Sequence, residues 1–289
     1  MHIATRICEN SSIPGLTRTG PMYSSTRYQG KFIFGLILDM KYDKPQKGNP
    51  HQLTVNQHTL PLMSISRFAN ATGRVSVNLL KQNKVIQLKP DDSLFCARRT
   101  WDQRAENGYM KNIEDKYQSL AEKVVSERQE TVGPLEQSIV TDMFVLWNVR
   151  AHRKAKPTPD QRINAIDVEK HLTKDEQELL EKNHICVIRP DLIIAGRHLA
   201  GITIQMNVDK ERQQMADVHW GILKASAGEF IVPDNYSNAR ILPLSPIICF
   251  YSQSNDDVIG IKEVAEINRL AIDSSREYYF ANDFNKCPS

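Results

Sequence analysis

The sequence predicts an α+β fold in which small antiparallel sheet segments from both ends of the chain flank a central helical hairpin. Apolar and polar residues alternate as in strands near both ends, and two long stripes of helical spacing lie between them. With 40% hydrophobic and 25% charged residues, the 289-residue chain has the composition of an ordinary globular protein. An ordered core is therefore expected.

The first 39 residues differ from the rest, being rich in Ser, Thr, Arg and Gly. We expect them to form a loosely attached extension, or even to be upstream sequence translated from an early start codon, since Met40 reads like a natural start. Residues 40–289 are predicted to form a single α+β domain, because no linker-like stretch divides them. The longest apolar run, Phe32–Met40, has about half of the roughly 20 residues that cross a bilayer. No membrane partner is expected.

The cysteines are odd in number and scattered singly, without the close pairs of a disulfide framework or a zinc ribbon. Reduced thiols and a cytoplasmic location are therefore expected. The five are Cys8, Cys96, Cys186, Cys249 and Cys287.

Strand-like alternation begins near residue 52, in "QLTVNQHTL", "GRVSVNLL" and "KVIQLK". The short polar "KQN" between the last two predicts a hairpin, so we place a small antiparallel sheet at residues 52–90. Pro90 and the two aspartates after it are breakers that end this sheet.

Two long helices are predicted next, at roughly 105–130 and 135–154, separated by "VGP". The apolar stripe of each includes one charge. The first stripe is Glu106, Met110, Ile113, Tyr117, Leu120 and Val124, and the second is Ile139, Met143, Leu146 and Arg150. In an antiparallel pair Arg150 lies level with about residue 115, which favours Glu114 as its partner, while Glu106 lies about 12 Å further along.

The remaining elements continue the mixed pattern. Helices are predicted in "VEKHLTKDEQELLEKN" and in "AGITIQMNVDKERQQMAD". In the first of these segments, Thr173 followed by Glu176 is typical of a capping box at the start of a helix. A second β-rich region follows in "HWGILKAS", "GEFIVPDN" and "ARILPLSPIICFYS". The chain then ends in a predicted helix, "IKEVAEINRLAIDSSREYYFAN", whose core-facing residues are Val264, Ile267, Leu270 or Ala271, and Ser274.

Several familiar mechanisms lack their sequence signatures. The chain contains no phosphate-binding P-loop, no G-x-G-x-x-G, no H-E-x-x-H and no G-x-S-x-G. ATP hydrolysis by a P-loop, dinucleotide binding by a Rossmann fold and serine hydrolysis at that elbow therefore lose their usual support. The net charge of +3 is too small to indicate nucleic acid by itself.

His58, in the stretch "HTLPLMSISRF", is the first candidate for chemistry. Histidine serves as a general base or metal ligand because its ordinary pKa lies near neutrality, although a lone strand histidine is more often structural. Pro61 and Phe68 are equally consistent with an end of sheet pairing and a core position. Asp234 and Asn235 end the strand "EFIVPDN", where they are typical either of a metal-binding or substrate-orienting rim or of an ordinary turn.

Charged residues in the helical region give the next candidates. A core-facing carboxylate must be paired, metal-bound or protonated, so Glu106, Glu114 and Arg150 form either structural ion pairs or a site. Basic residues in "RAHRKAKP" are suited to phosphate, but the helix dipole favours them at a helix C-terminus in any case. They are Arg150, Arg153, Lys154 and Lys156, with Arg98, Arg99 and Arg104 as a second possible cluster.

Taken in order, these features resemble the bacterial domain-of-unknown-function family four-two-three-eight. The resemblance covers roughly residues 50–282 and rests on "HTLP", Arg67-Phe68, "LWNVR", "EFIVPDN" followed by "ILPLSP", and "INRLAIDSSREYYFA". The chain departs from the family pattern at "SIS" near residue 64 and at Tyr236, where proline is common. The family has no settled biochemical activity, but its members occur among genes for defence against phage, which the resemblance implies here.

The leading hypothesis is a cytoplasmic phage-defence effector that acts on nucleic acid, most simply a metal-dependent nuclease. His58 is the predicted base or ligand, and Mg²⁺ or Mn²⁺ is the expected cofactor. Its acids or metal ligands are Glu106, Glu114 and Asp234, and its substrate-binding residues are Arg67, Arg150 and Asn235. Two alternatives are an ADP-ribosyltransferase-type toxin that uses NAD, and a non-catalytic sensor or binding module for a phage component or another protein.

Overall fold

The structure is a computed structural model that describes residues 42–164, 172–189, 191–236 and 239–289. Asp43–Ser289 form one compact unit. The predicted extension, residues 1–39, lies outside the described residues. The α+β class is confirmed, since helices and small sheets alternate along the chain.

The elements are numbered here in chain order. The helices are α1 Leu62–Ser66, α2 Gln103–Asn107, α3 Tyr109–Val125, α4 Pro134–Ala155, α5 Lys174–Lys182, α6 Gly196–Gln214 and α7 Ile261–Ser274. The first six strands are β1 Asn56–His58, β2 Val75–Leu79, β3 Lys84–Leu88, β4 Cys96–Arg98, β5 Gln161–Arg162 and β6 Ile193–Ile194. The others are β7 Trp220–Ala225, β8 Val232–Pro233, β9 Ile241–Ser245, β10 Ile248–Ser252, β11 Asp257–Ile259 and β12 Tyr278–Ala281.

One four-stranded sheet joins both ends of the described chain in the order β3-β2-β12-β8. The hairpin of β2 and β3 is confirmed, with Val77 opposite Ile86, and Asn83 takes the left-handed conformation (φ 46°) that closes its turn. The final helix was predicted to run to the end of "YYFAN", which is wrong. It stops at Ser274, and the aromatic run Tyr278–Ala281 forms β12 beside β2, because aromatic residues suit a half-buried strand.

The second four-stranded sheet has the order β11-β7-β10-β9. It accounts for most of the predicted second β-rich region. The pairs β7–β10 and β10–β9 are antiparallel, while β11 runs parallel to β7. Every residue of β9 is buried, and β9 contacts both α3 and α4. This sheet therefore packs against the helical hairpin through β9.

The stretch "HTLPLMSISRF" divides into a strand end and a short helix. The expected strand "QLTVNQHTL" is wrong in its extent and in its pairing: only Asn56–His58 is a strand, and it pairs with β4, with His58 opposite Cys96. Helix α1 then begins directly after Pro61, its N-cap residue. Phe68 is fully buried and packs edge-on against Phe280 of β12, with 5.7 Å between ring centroids. Part of this stretch is therefore core.

The central helical hairpin of α3 and α4 is confirmed, with one correction. The first helix was predicted as continuous over 105–130, but Gly108 separates α2 from α3. A Cβ at Gly108 would lie 2.6 Å from the carbonyl oxygen of Arg104, so the chain bends there only because the residue is glycine. The apolar part of the predicted stripe is buried as expected, at Met110, Ile113, Tyr117, Leu120 and Val124.

A set of charges is buried where the chain after β4 meets α5 and α6. Glu181 accepts hydrogen bonds from Arg99 (2.7 Å) and from Arg197 (2.8 Å). Arg197 also donates to the carboxylate of Asp43 (2.7 Å), and Arg99 donates to the backbone carbonyl of Asp43 (2.7 Å). We call Asp43, Arg99, Glu181 and Arg197 the Arg99 network. It fixes the start of the compact unit against α5 and α6.

The capping box at the start of α5 is confirmed. Glu176 accepts from the backbone N–H of Thr173 (2.8 Å), and the Thr173 hydroxyl accepts from the backbone N–H of Glu176 (3.2 Å). No helix in the described part of the chain is both long enough and apolar enough to span a bilayer. Cys96, Cys186, Cys249 and Cys287 are all free thiols.

Candidate functional site

Four of the seven predicted site residues come together where β1, α2, α3 and α4 meet. They are His58 at the end of β1, Glu106 on α2, Glu114 on α3 and Arg150 on α4, and we call them the His58 cluster. The Arg150 guanidinium donates through Nη1 to Glu114 Oε1. Its charge also acts on Glu106 and on His58. The preference for Glu114 over Glu106 as the partner of Arg150 is confirmed.

Arg150 is the most deeply buried member of the His58 cluster, with 1% of its surface exposed. Its Nε lies 3.4 Å from Met110 Sδ, and its guanidinium carbon lies 5.4 Å from the centroid of the Trp101 ring. This geometry allows a cation–π interaction. The side chain of Glu114 is 25% exposed, so the pair runs from the core to the surface. The buried Arg150 guanidinium therefore fixes the position of the partly exposed Glu114 carboxylate.

His58 is half-buried and contacts the backbone after β3. Its Nε2 lies 3.2 Å from the carbonyl oxygen of Pro90, and a donated hydrogen bond there leaves Nδ1 as the basic nitrogen, a tautomer inferred from this contact. Burial lowers the pKa of His58 below its ordinary value, with Arg150 acting in the same direction. His58 is therefore neutral at pH 7 and can accept a proton.

The pKa of Glu106 is shifted in the opposite direction, upward. Burial raises the pKa of its carboxyl, although Arg150 and a hydrogen bond donated by Trp101 Nε1 to Glu106 Oε2 both oppose the rise. A carboxyl with a raised pKa retains a proton more readily than an exposed glutamate does. The His58 cluster thus combines a neutral base with a potential acid, as acid–base sites do.

Asp234 makes a different set of contacts. Its carboxylate accepts three backbone hydrogen bonds, from Asn235 (3.0 Å), Arg276 (3.0 Å) and Glu277 (2.8 Å). Burial raises the pKa of Asp234, and these three donors oppose the rise. Among the described residues these contacts fasten the turn before β12, which agrees with the turn interpretation of "PDN". Asn235 is buried, and its Oδ1 has no partner among the described residues.

Arg67 lies between α1 and α3 rather than in the His58 cluster. Its Nη2 donates to Gln118 Oε1 (2.5 Å), and Gln118 Nε2 donates to Ser64 Oγ (3.0 Å). Its Nη1 is buried without a partner in the described part of the chain. The second possible basic cluster is also divided, since Arg99 belongs to the Arg99 network while Arg98 and Arg104 are exposed.

The described residues contain no group of three or more His, Cys, Asp or Glu side chains arranged to hold a metal ion. Mg²⁺ commonly uses only one or two protein carboxylates and completes its shell with water and substrate oxygens. Glu114, whose carboxylate is partly exposed, is the member of the His58 cluster best placed for that role. A divalent cofactor stays a prediction.

Two residues of this region were not predicted from the sequence. Trp101 donates to Glu106 and stacks on Arg150. It directly precedes Asp102, which caps α2 by accepting from Ala105 N (3.0 Å). Lys154 was named only as part of a basic run. Its Nζ contacts the Leu94 carbonyl (2.7 Å) and lies 3.0 Å from Glu277 Oε2.

Glu114→Gln is expected to lower the free energy of unfolding by about 2 kcal/mol, because the buried Arg150 charge loses its partner while Glu114 itself is partly solvated. Urea denaturation measures this change. Glu122→Gln is the matched control, since Glu122 lies on the same helix with a side chain 65% exposed. A loss for Glu114→Gln no larger than for this control would show that the ion pair contributes nothing to stability.

Comparisons of the chain with protein-family models, with curated proteins and with solved structures gave no match.

Proposed function

We propose that the chain is a hydrolase that cleaves nucleic acid at the His58 cluster. The observation that carries this proposal is that a histidine of lowered pKa and a carboxyl of raised pKa both lie within electrostatic reach of the Glu114–Arg150 ion pair. Perturbed titratable groups of opposite tendency, gathered in one place, are typical of acid–base sites.

In the proposed reaction His58 Nδ1 takes a proton from a water molecule while the oxygen of that water attacks a phosphorus atom of the nucleic-acid backbone. The new P–O bond forms as the bond from phosphorus to the leaving oxygen breaks, and the Glu106 carboxyl supplies the proton to that oxygen. Glu114, held by Arg150, orients the water and would hold Mg²⁺ or Mn²⁺. Such an ion lowers the pKa of bound water and neutralises developing charge.

The biological part of the proposal comes from the sequence resemblance. In this part of the proposal, the chain acts in the cytoplasm as a phage-defence effector that a phage component triggers. A cellular test is to induce the chain with and without phage and to compare growth with that of His58→Ala at equal soluble level. We expect the wild type to protect or to arrest growth and His58→Ala to do neither; equal behaviour of the two would contradict a role for His58.

The biochemical test uses DNA and RNA substrates with Mg²⁺, with Mn²⁺ and with EDTA. His58→Ala and Glu106→Gln are expected to lower the cleavage rate by about 100-fold or more, the usual share of one acid or base. Glu122→Gln should cleave like the wild type. The proposal fails if the wild type cleaves neither substrate with either metal, or if both site variants keep the wild-type rate.

The same samples separate the alternatives. Consumption of NAD by the wild type but not by Glu106→Gln would favour the transferase. Burial of Arg150 favours the non-catalytic module in particular, because a buried ion pair needs no ligand to explain it. That alternative expects Glu114→Gln and Glu106→Gln to lose thermal stability while every biological effect of the chain persists.

A further inference from the structure

Exposed or half-exposed basic residues lie at the C-terminal end of α4, beyond the His58 cluster. His152 and Arg153 are in its last turn, Lys156 directly follows the helix, and Arg276 lies on the turn between α7 and β12. We call these four residues the basic patch. In the part of the chain that the structure describes, no salt bridge joins any of them to a carboxylate, and Arg153 contacts only the Thr158 hydroxyl (3.3 Å) through Nη1.

Two contacts fix the turn that carries Arg276, and the first of them joins this turn to α4. Lys154 Nζ lies 3.0 Å from Glu277 Oε2, and the Asp234 carboxylate accepts the backbone N–H of Arg276 at 3.0 Å. The first contact also neutralises Glu277, the acidic neighbour of Arg276. Burial lowers the pKa of His152, and Arg153, Lys156 and Arg276 lower it further, so the three cations act together on one spot.

The helix dipole accounts for only part of this arrangement. Negative charge at a helix C-terminus attracts cations on that helix, which explains Arg153 and Lys156. It does not explain why Arg276, more than 100 residues later in the sequence, is fastened against the same turn. A concentrated patch of unneutralised cations favours a polyanion as its partner.

We propose that the basic patch binds backbone phosphates of a nucleic-acid strand next to the phosphodiester bond cleaved at the His58 cluster. This inference rests on the proposed function. Arg150 on α4 and Lys156, which directly follows that helix, are six residues apart, which is about 9 Å at the helical rise. At about 3.4 Å per nucleotide along one strand, the patch reaches phosphates two or three nucleotides from the cleaved bond.

The test measures binding without cleavage. Full-length Glu106→Gln protein in EDTA is titrated against a short fluorescent DNA duplex over a range of salt concentrations, with and without Lys156→Gln and Arg276→Gln. Each lost phosphate contact should reduce the slope of log affinity against log salt by about 0.9, so the double change should reduce it by about 1.8 and weaken binding at low salt by tenfold or more. Lys210→Gln with Lys262→Gln removes equal charge from exposed positions on α6 and α7 and should leave the slope unchanged.

The outcomes separate this inference from the proposed function. Selective loss of slope in the patch variant supports the basic patch even if the wild type cleaves nothing, which would overturn only the proposed activity. Equal slopes in the patch and control variants overturn the basic patch even if the wild type cleaves DNA. If the patch variant loses binding to anionic phosphatidylserine vesicles while its DNA binding is unaffected, the proposed role of the basic patch is also overturned, in favour of binding to a membrane surface.

Discussion

Glu181→Gln is expected to lower the free energy of unfolding by about 4 kcal/mol, which corresponds to a fall in Tm of about 8–16 °C. The side chains of Glu181 and Arg99 are 3% and 1% exposed, and that of Arg197 is 9% exposed. Removing this carboxylate charge leaves two buried cations whose remaining salt-bridge partner among the described residues is Asp43, which lies 3.9 Å from Arg99 and 2.7 Å from Arg197. Water reaches neither well enough to replace the lost interaction.

Urea denaturation of the full chain gives the change directly. Glu211→Gln is the control, because Glu211 is exposed and lies on α6, the helix that carries Arg197. An isosteric amide keeps the shape of the side chain, so packing changes little and the loss reports the charge. A loss below about 1 kcal/mol, similar to that of an exposed pair, would show that the Arg99 network is solvated rather than buried.

The helical hairpin was predictable because local spacing determines it. Core residues of α3 recur at steps of three and four, and every apolar member of the predicted stripe is buried. The rise per residue then placed Arg150 level with Glu114, which is its observed partner. The break at Gly108 was not predictable in this way, because isolated glycines are often tolerated within helical patterns.

Pairing between distant segments was not predictable in the same way. The strand β12 reads as a continuation of α7, and only its pairing with β2, about 200 residues earlier, shows it to be a strand. Likewise Arg99 and Glu181 are 82 residues apart, and nothing in the local sequence of either indicates a shared contact. Side-chain patterns give the face that a residue presents, but not the segment that meets it.

The candidate site shows the same division. Residue type suggested His58, and helical spacing with the rise per residue suggested Glu106 and Glu114, as candidates for acid–base chemistry. Their convergence depends instead on how β1, α2 and α3 pack. Asp234 had equally suitable chemistry in the sequence. Its carboxylate is instead occupied by three backbone donors, two of them more than 40 residues away. Backbone donors leave no sequence pattern that could have revealed this.

His198 is expected to make the protein lose stability on mild acidification. It lies on α6 with 2% of its surface exposed, and burial lowers its pKa from 6.5 to about 4, with the charges of Arg197 and Arg99 acting in the same direction. Its Nε2 has no hydrogen-bond partner among the described residues. Protonation in the folded state would therefore place an unpaired cation beside two guanidiniums.

The sign of the effect follows from proton binding. Between pH 6.5 and pH 4 the unfolded chain takes up a proton at His198 and the folded chain does not, so the folded state becomes less favoured as the pH falls. The free energy of unfolding should decrease by about 3 kcal/mol across this range, from a shift of about 2.5 pH units at 1.36 kcal/mol each. Most of the decrease, about 2 kcal/mol, should occur above pH 5.

Comparison with His198→Leu isolates this contribution, because leucine does not titrate and leaves no unsatisfied nitrogen. Asp43 and Glu181 also have lowered pKa values, but their contribution is present above pH 3.8 and pH 4.5 and is lost only as the pH falls through the lower folded values. Burial also lowers the pKa of His58 and of His152, so these two histidines contribute to the decline between pH 6.5 and pH 5 in every variant, and the difference between the wild type and His198→Leu reports His198. Urea denaturation should show a decline there in the wild type and in the exposed control His184→Asn that is larger, by about 2 kcal/mol, than the decline in His198→Leu. Parallel declines in all three proteins would show that His198 stays accessible to protons in the folded state.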